Sequence, residues 1–326
     1  MSLLAFVLII ASAGLHATWN MIAKKERMTL GFYAILGSIG AIWSSWVRFV
    51  TPLGFFAMPG KFYLTLAGTL VGEMFYGFGL VFAYRALDMS TAYPMMRSLP
   101  LLFIAAITTL CGLGEPLTLC AMVGMAVLFA GCLMMPLRQF SDFKLRNYLN
   151  RGMFYIIMVA SGTTLYTVFD NLSQCVMREA FPEVAKPMIS MTYYSYRAVT
   201  LSIMLWVIAL SFPNTRAEVV DMWRRRSWMP VLAGLCSSLT YVLVLIAMNF
   251  VTNVSYVQAF RQIGLLIGML EGVLILKERC TAPKVAGIVL ILGGLALSVV
   301  KPATPPTGVE KPAPIAVEQT VEVCEP

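Results

Sequence analysis

The chain has 326 residues, of which 59% are hydrophobic and only 12% charged, with a formal net charge of +8. A soluble domain carries roughly 45–50% and 25%, so this composition, with a mean hydropathy of +0.79, excludes a large soluble core and points to a polytopic membrane protein. The positive charge does not describe a nucleic-acid surface, because the Lys and Arg residues lie in short loops beside apolar runs, where membrane proteins carry them.

A membrane span needs about 20 apolar residues. Cutting the chain at charged and Pro/Gly-marked breaks predicts ten spans, at 2–23, 29–50, 62–84, 90–111, 116–136, 152–172, 188–212, 228–249, 255–276 and 281–300. Lys and Arg in the odd-numbered loops outnumber those in the even loops and tail by more than two to one. That bias puts the odd loops in the cytoplasm and, with ten spans, both termini outside. The start of the chain lacks a basic leader and carries His16, Trp19 and Asn20 in its apolar run, so it reads as a retained first span. The seven cysteines show no CxxC and no metal-ligand spacing, and read as small apolar packing residues.

The first span ends in His16-Ala17-Thr18-Trp19-Asn20. His16 reads either as a neutral imidazole bonded between helices or as a substrate contact. The third span combines Gly68-x-x-x-Gly72, a close-packing pattern, with Glu73 and Tyr76. Glu73 reads as a partner for an intramembrane arginine or as a proton carrier. In the fourth span Arg97 stands between Pro94 and Pro100. A charge at that depth usually faces a partner or a cavity, and each proline frees the carbonyl four residues earlier, here those of Ser90 and Met96. The hydrophilic connector 138–151 then divides the chain.

The second half repeats the first. Leu15-His16 and Trp19-Asn20 align with Leu165-Tyr166 and Phe169-Asp170, Tyr76 falls within one residue of Tyr241, and Arg97 aligns with Arg261, which Gln262 follows. Glu115, Gly124 and Gly131 recur 163 residues on as Glu278, Gly287 and Gly294. Five spans per half is an odd number, so the two copies insert with opposite topology. Inverted repeats of this kind recur in secondary transporters, with the substrate site where the halves meet. The expected fold is therefore an all-α polytopic membrane protein of ten transmembrane helices, arranged as two inverted five-helix repeats. Residues 1–137 form the first repeat, 138–151 a cytoplasmic linker and 152–300 the second repeat. The Pro-rich stretch from 301 to 326 reads as a disordered tail.

The His16–Asn20 segment, Tyr84-Arg85-Ala86-Leu87, the Gly-x-Gly-Glu-Pro turn at 112–116 and its counterpart Leu276-Lys277-Glu278-Arg279 with Gly287 carry a resemblance. Over residues 1 to about 300 the chain resembles the ten-span EamA type of the drug/metabolite transporter superfamily. The resemblance implies alternating access in a cell (inner) membrane, with export at least as frequent as import.

The expected substrate-binding residues are Arg97, Arg261, His16, Trp19, Asn20, Glu73, Tyr76, Tyr166, Tyr241 and Gln262. The two arginines are expected to draw an anionic or zwitterionic metabolite, since guanidinium matches carboxylate in a bidentate way. Glu73 and His16 are the first candidates for proton coupling. Tyr193, Tyr194, Tyr196 and Arg197 read more simply as an aromatic belt where span seven starts, and Asp170 as a solvated residue near a membrane edge. No catalytic set, metal site or nucleotide fingerprint is present in the sequence, so no enzyme activity and no cofactor are expected. The expected partners are a small-molecule substrate and the bilayer, not nucleic acid, and a homodimer is left open. The competing reading is a structural or sensory membrane subunit without flux.

Overall fold

Backbone N–H and C=O groups among apolar side chains must satisfy one another, which favours helices for apolar runs of this length. The computed structural model describes residues 3–26, 28–110, 119–144, 148–248 and 263–299, and these are all-α. In chain order the helices are α1 (Leu3–Lys25), α2 (Leu30–Ser44), α3 (Val47–Val50), α4 (Gly60–Ala86), α5 (Met89–Leu110) and α6 (Leu119–Met134). There follow α7 (Arg151–Ala180), α8 (Lys186–Ser211), α9 (Pro213–Arg224), α10 (Met229–Met248), α11 (Ile263–Leu274) and α12 (Ala282–Val299). Among the described residues five helical stretches are long and apolar enough to cross a membrane: Phe6–Lys25, Leu30–Val50, Gly60–Ala86, Arg151–Ala180 and Lys186–Ser211. They suggest a multi-pass membrane protein. Arg261, Gln262, the turn at 112–116, the tail from 301 and the side chain of Tyr241 lie outside the described residues.

Three features differ from the sequence reading. Helix α7 runs on to Ala180 rather than stopping near 172, because Ser173–Met177 contains no helix breaker and its charges come only at Arg178 and Glu179. Asp170 therefore lies about 15 Å from the helix end, not at an edge. Helix α8 begins at Lys186 with Pro187 in its first turn, a position that suits proline. That places Arg197 roughly 16 Å into the helix, so it does not mark the start of a span. The third difference is α9, a short helix with one buried face where only a loop was expected.

Backbone-to-backbone contacts at glycine join the long helices. A Cβ on Gly162 would stand 2.4 Å from the Tyr76 nitrogen and 2.7 Å from the Gly72 oxygen, and one on Gly72 would meet the Tyr166 nitrogen at 2.6 Å. Gly79 is similarly closed in by Val159 and Tyr155, so contacts advance along α4 as they retreat along α7 and the two helices are antiparallel. Helix α6 meets α12 in the same manner, with Gly131 against Gly287 and Gly294 against Gly124. Helix α1 packs on α10, where Ser12 Oγ donates to the Thr240 carbonyl at 2.9 Å. It also packs on α11, where Gly264 faces Ala13. Gly268 and Gly272, at successive turns of the same helix, face Tyr93 and Ser90 of α5. Helix α2 packs on α8 and α10, and α5 on α7 and α11. Cys132, Cys175 and Cys236 are buried and form no disulfide.

One end of the bundle is held by charge. Met89 and Ser90 open α5, and their N–H groups donate to the Glu278 carboxylate at 2.6 and 2.7 Å. Lys24 donates to the carbonyls of Tyr84 and Leu87 at the end of α4. Lys284, 5% exposed, donates to Ser90 Oγ at 2.8 Å and faces Asp88 at 3.6 Å. An anion thus meets the positive end of one helix and a cation the negative end of the other. Arg85 faces Glu218 of α9 at 3.6 Å, Gly152 abuts Leu87 and Thr281 Oγ1 donates to the Leu137 carbonyl at 3.1 Å, so these connections gather at the same end. The opposite end is closed by Leu53, Met58, Phe62, Met177 and Ile189, with the Tyr196 hydroxyl donating to the Leu53 carbonyl.

Gly162→Ala is expected to cost about 1–3 kcal/mol by overpacking. Gly293→Ala, whose Cβ would meet nothing within 4 Å, is expected to be neutral or slightly stabilising. Thermal unfolding in detergent compares the two. Glu278→Ala removes two charge-assisted hydrogen bonds and is expected to cost about 2 kcal/mol or more, with faster amide exchange at Met89 and Ser90.

Candidate functional site

A cavity of about 200 Å³ lies between α1, α2, α4, α7, α8 and α10. Its walls include His16 and Trp19 of α1, Glu73 and Tyr76 of α4, Tyr166 of α7, Tyr194 and Arg197 of α8, and Ser237, Ser238 and Thr240 of α10. Gly37 and Gly40 of α2 leave bare backbone along one side.

Among the described residues, Arg197 is the cation in the wall of this cavity. Its guanidinium pairs with the Glu73 carboxylate, whose side chain is 4% exposed, and lies 3.8 Å from Asp170. It also stands 5.4 Å from the centre of the Tyr166 ring, within cation–π range. Glu73 accepts a further hydrogen bond from the Tyr33 hydroxyl at 3.1 Å. Asp170 accepts from Thr69 Oγ1 at 2.9 Å and from the Tyr193 hydroxyl at 2.6 Å. One guanidinium is thus shared by two carboxylates, each steadied by hydroxyl donors. The Tyr76 and Tyr166 rings meet edge to face at 5.8 Å.

A second polar cluster stands on the α1 side. Arg97 Nη1 lies 3.1 Å from His16 Nε2. Guanidinium can only donate, so Nε2 is the acceptor in that contact, and Nδ1 stands 3.2 Å from both the Tyr93 hydroxyl and the Asn20 side-chain nitrogen. Asn20, 2% exposed, donates to the His16 carbonyl at 2.8 Å and accepts from the Tyr84 hydroxyl at 2.7 Å.

Of the residues expected from the sequence, the structure brings His16, Trp19, Glu73, Tyr76 and Tyr166 into the cavity wall. Arg97 and Asn20 stand behind His16 instead. Glu73 takes Arg197, not Arg97, as its partner. The carbonyls of Ser90 and Met96 do not line the cavity, because α5 runs unbroken through both prolines and packs against α7 and α11. Two site residues were discounted in the sequence. Arg197 and Asp170 were each placed near a membrane edge, and the available signal was the distance of Arg197 from Lys186-Pro187, the actual start of its helix. Glu271 of α11 accepts from Thr18 Oγ1 at 2.9 Å.

No protein-family model matches the chain, and no curated protein matches it. Among solved structures, one described only as a crystal structure of a protein is similar, with a TM-score of 0.52 at 14% sequence identity, over 90% of this chain and 96% of that one. A likeness at that identity concerns the fold alone, and it extends over nearly the full length of both chains.

Arg197→Met strands Glu73 in a buried place and is expected to cost about 3 kcal/mol or more. Adding Glu73→Gln to it is expected to recover most of that loss, and a double-mutant cycle on unfolding in detergent reads the coupling. Arg97→Met, whose described partner is an imidazole and not a carboxylate, is expected to cost less.

Proposed function

We propose that the chain is a ten-span secondary transporter of two inverted five-helix repeats, moving a small zwitterionic or anionic metabolite by alternating access. The observation that carries this reading is the exchange pattern of helix contacts. Let α1, α2, α4, α5 and α6 correspond to α7, α8, α10, α11 and α12. The α4–α7 interface then has its counterpart in α1–α10, α1–α11 in α5–α7, and α2–α10 in α4–α8. The interfaces α2–α8, α5–α11 and α6–α12 map onto themselves. The cavity is walled by α1, α2 and α4 together with their counterparts α7, α8 and α10, as a site between rocking halves requires. Odd-numbered connections gather at one end, in keeping with a common cytoplasmic face set by their Lys and Arg.

The size and charge of the cavity narrow the substrate. At about 200 Å³ it falls below the roughly 300–1,000 Å³ of sites for drug-sized ligands. An anion that drew Arg197 away would strand the buried Glu73, which is costly. A zwitterion can pair its acid with Arg197 and its amine with Glu73, leaving neither charge alone, so it is the favoured substrate class. Proton coupling through Glu73 belongs to this proposal.

A thermal-shift panel of zwitterions, anions and cations in detergent tests it, since a ligand at about 100 Kd adds roughly 2.7 kcal/mol of stability. Stabilisation by a zwitterion, lost in the Glu73→Gln/Arg197→Met double variant, and flux of that ligand into proteoliposomes are the expected results. Stabilisation by anions alone would move the site to Arg97 and Arg261. Binding without flux would favour a sensory subunit.

A further inference from the structure

Helix α9 has twelve residues and sits between the apolar helices α8 and α10. Its inner face is Thr215 and Val219, with Glu218 and Met222 half-buried. Val219 and Met222 close over Gly31 at the start of α2, where a Cβ would stand 2.8 and 2.9 Å from their side chains. Thr215 Oγ1 donates to the Ala209 carbonyl at 2.6 Å, tying α9 back to the end of α8. Its neighbours are thus the ends of spanning helices, which sets it at the height of a membrane–water boundary.

The outer flank has a different chemistry. Arg216, Val220 and Trp223 are spaced by four and three residues, which puts them on one stripe, and all three are exposed. Trp223 is 74% exposed, and Trp228, just beyond the helix, 77%. The acids of α9 are engaged, Asp221 by Arg225 at 2.9 Å and Glu218 by Arg85 at 3.6 Å. Among the described residues, Arg216, Arg224 and Arg226 have no acidic partner. Exposed apolar residues flank the helix, Leu210 and Phe212 before it and Met229 and Leu232 after it.

We propose that α9 is an in-plane interfacial helix that docks anionic phospholipid headgroups. Trp223 and Trp228 sit at headgroup depth, where indole is favoured, and Arg216, Arg224 and Arg226 pair with the phosphates. The exposed apolar residues that flank α9 on α8 and α10 select a lipid surface over a soluble partner. A headgroup held there braces α9 against Gly31, two residues before Tyr33, which donates to Glu73. The docking does not depend on whether the chain transports.

The test titrates the purified full-length chain in detergent with phosphatidylglycerol or phosphatidylcholine and follows Tm. Phosphatidylglycerol is expected to raise Tm on the order of 5 °C, phosphatidylcholine far less, and salt at about 0.5 M to erase most of the difference. The R216Q/R224Q/R226Q variant is expected to keep the lipid-free Tm and lose the increment. Should that variant not fold, hydrogen exchange on the wild type decides, with residues 213–226 protected in phosphatidylglycerol nanodiscs and not in phosphatidylcholine ones. Equal response to both lipids, an increment retained by the triple variant, or equal exchange in both nanodiscs overturns the assignment.

Discussion

The approach of α4 to α7 at backbone contact is the constraint on which the rest of the site depends. Lipid supplies no hydrophobic force between helices, so their association rests on close packing, and small residues permit it. Gly72, Gly79 and Gly162 bring the two backbones together, and the polar residues lie beside those contacts. Glu73 follows Gly72 directly, and Tyr76 meets Tyr166 one turn further on. Asp170 comes one turn after Tyr166, where Thr69 reaches it. A wider crossing would separate these groups and leave each buried charge to find water or another partner.

Electrostatics then sorts the polar residues into two clusters of different character. On the α8 side two carboxylates share Arg197, and hydroxyls of Tyr33, Thr69 and Tyr193 donate to them. Buried acids are tolerated there because each has a cation nearby and further donors. On the α1 side Arg97 donates to the His16 imidazole. The ring faces the cavity while the guanidinium stays behind it. The cavity therefore presents an ion pair on one wall and an aromatic and imidazole surface on the other.

The charged end of the bundle follows from helix termini rather than from the cavity. Only Leu87 and Asp88 separate α4 from α5, and the orphan groups at this turn are met from elsewhere. Lys24 reaches the last carbonyls of α4, and Glu278 the first N–H groups of α5. Because Lys24 belongs to α1 and Glu278 to the connection after α11, satisfying one turn binds distant parts of the chain together.

The sequence alone determined the helical class, because the run lengths and the scarcity of charge leave few other states for this chain. It also determined the paired glycines: Gly124 and Gly131 recur as Gly287 and Gly294, and they meet crosswise between α6 and α12. His16, Trp19, Glu73, Tyr76 and Tyr166 were legible as polar or aromatic positions inside apolar runs, and they line one cavity. Tertiary structure brought Arg197 into the wall of that cavity. Depth along a helix depends on where the helix begins and ends: α7 runs on to Ala180, past the limit that charge alone suggested, and Arg197 stands well inside α8. Pairing of Glu73 with Arg197 depends on which helices cross, a relation between residues more than a hundred positions apart that no local pattern records. The inner face of α9 was hidden for the same reason, since Val219 and Met222 acquire meaning only when Gly31 lies beneath them.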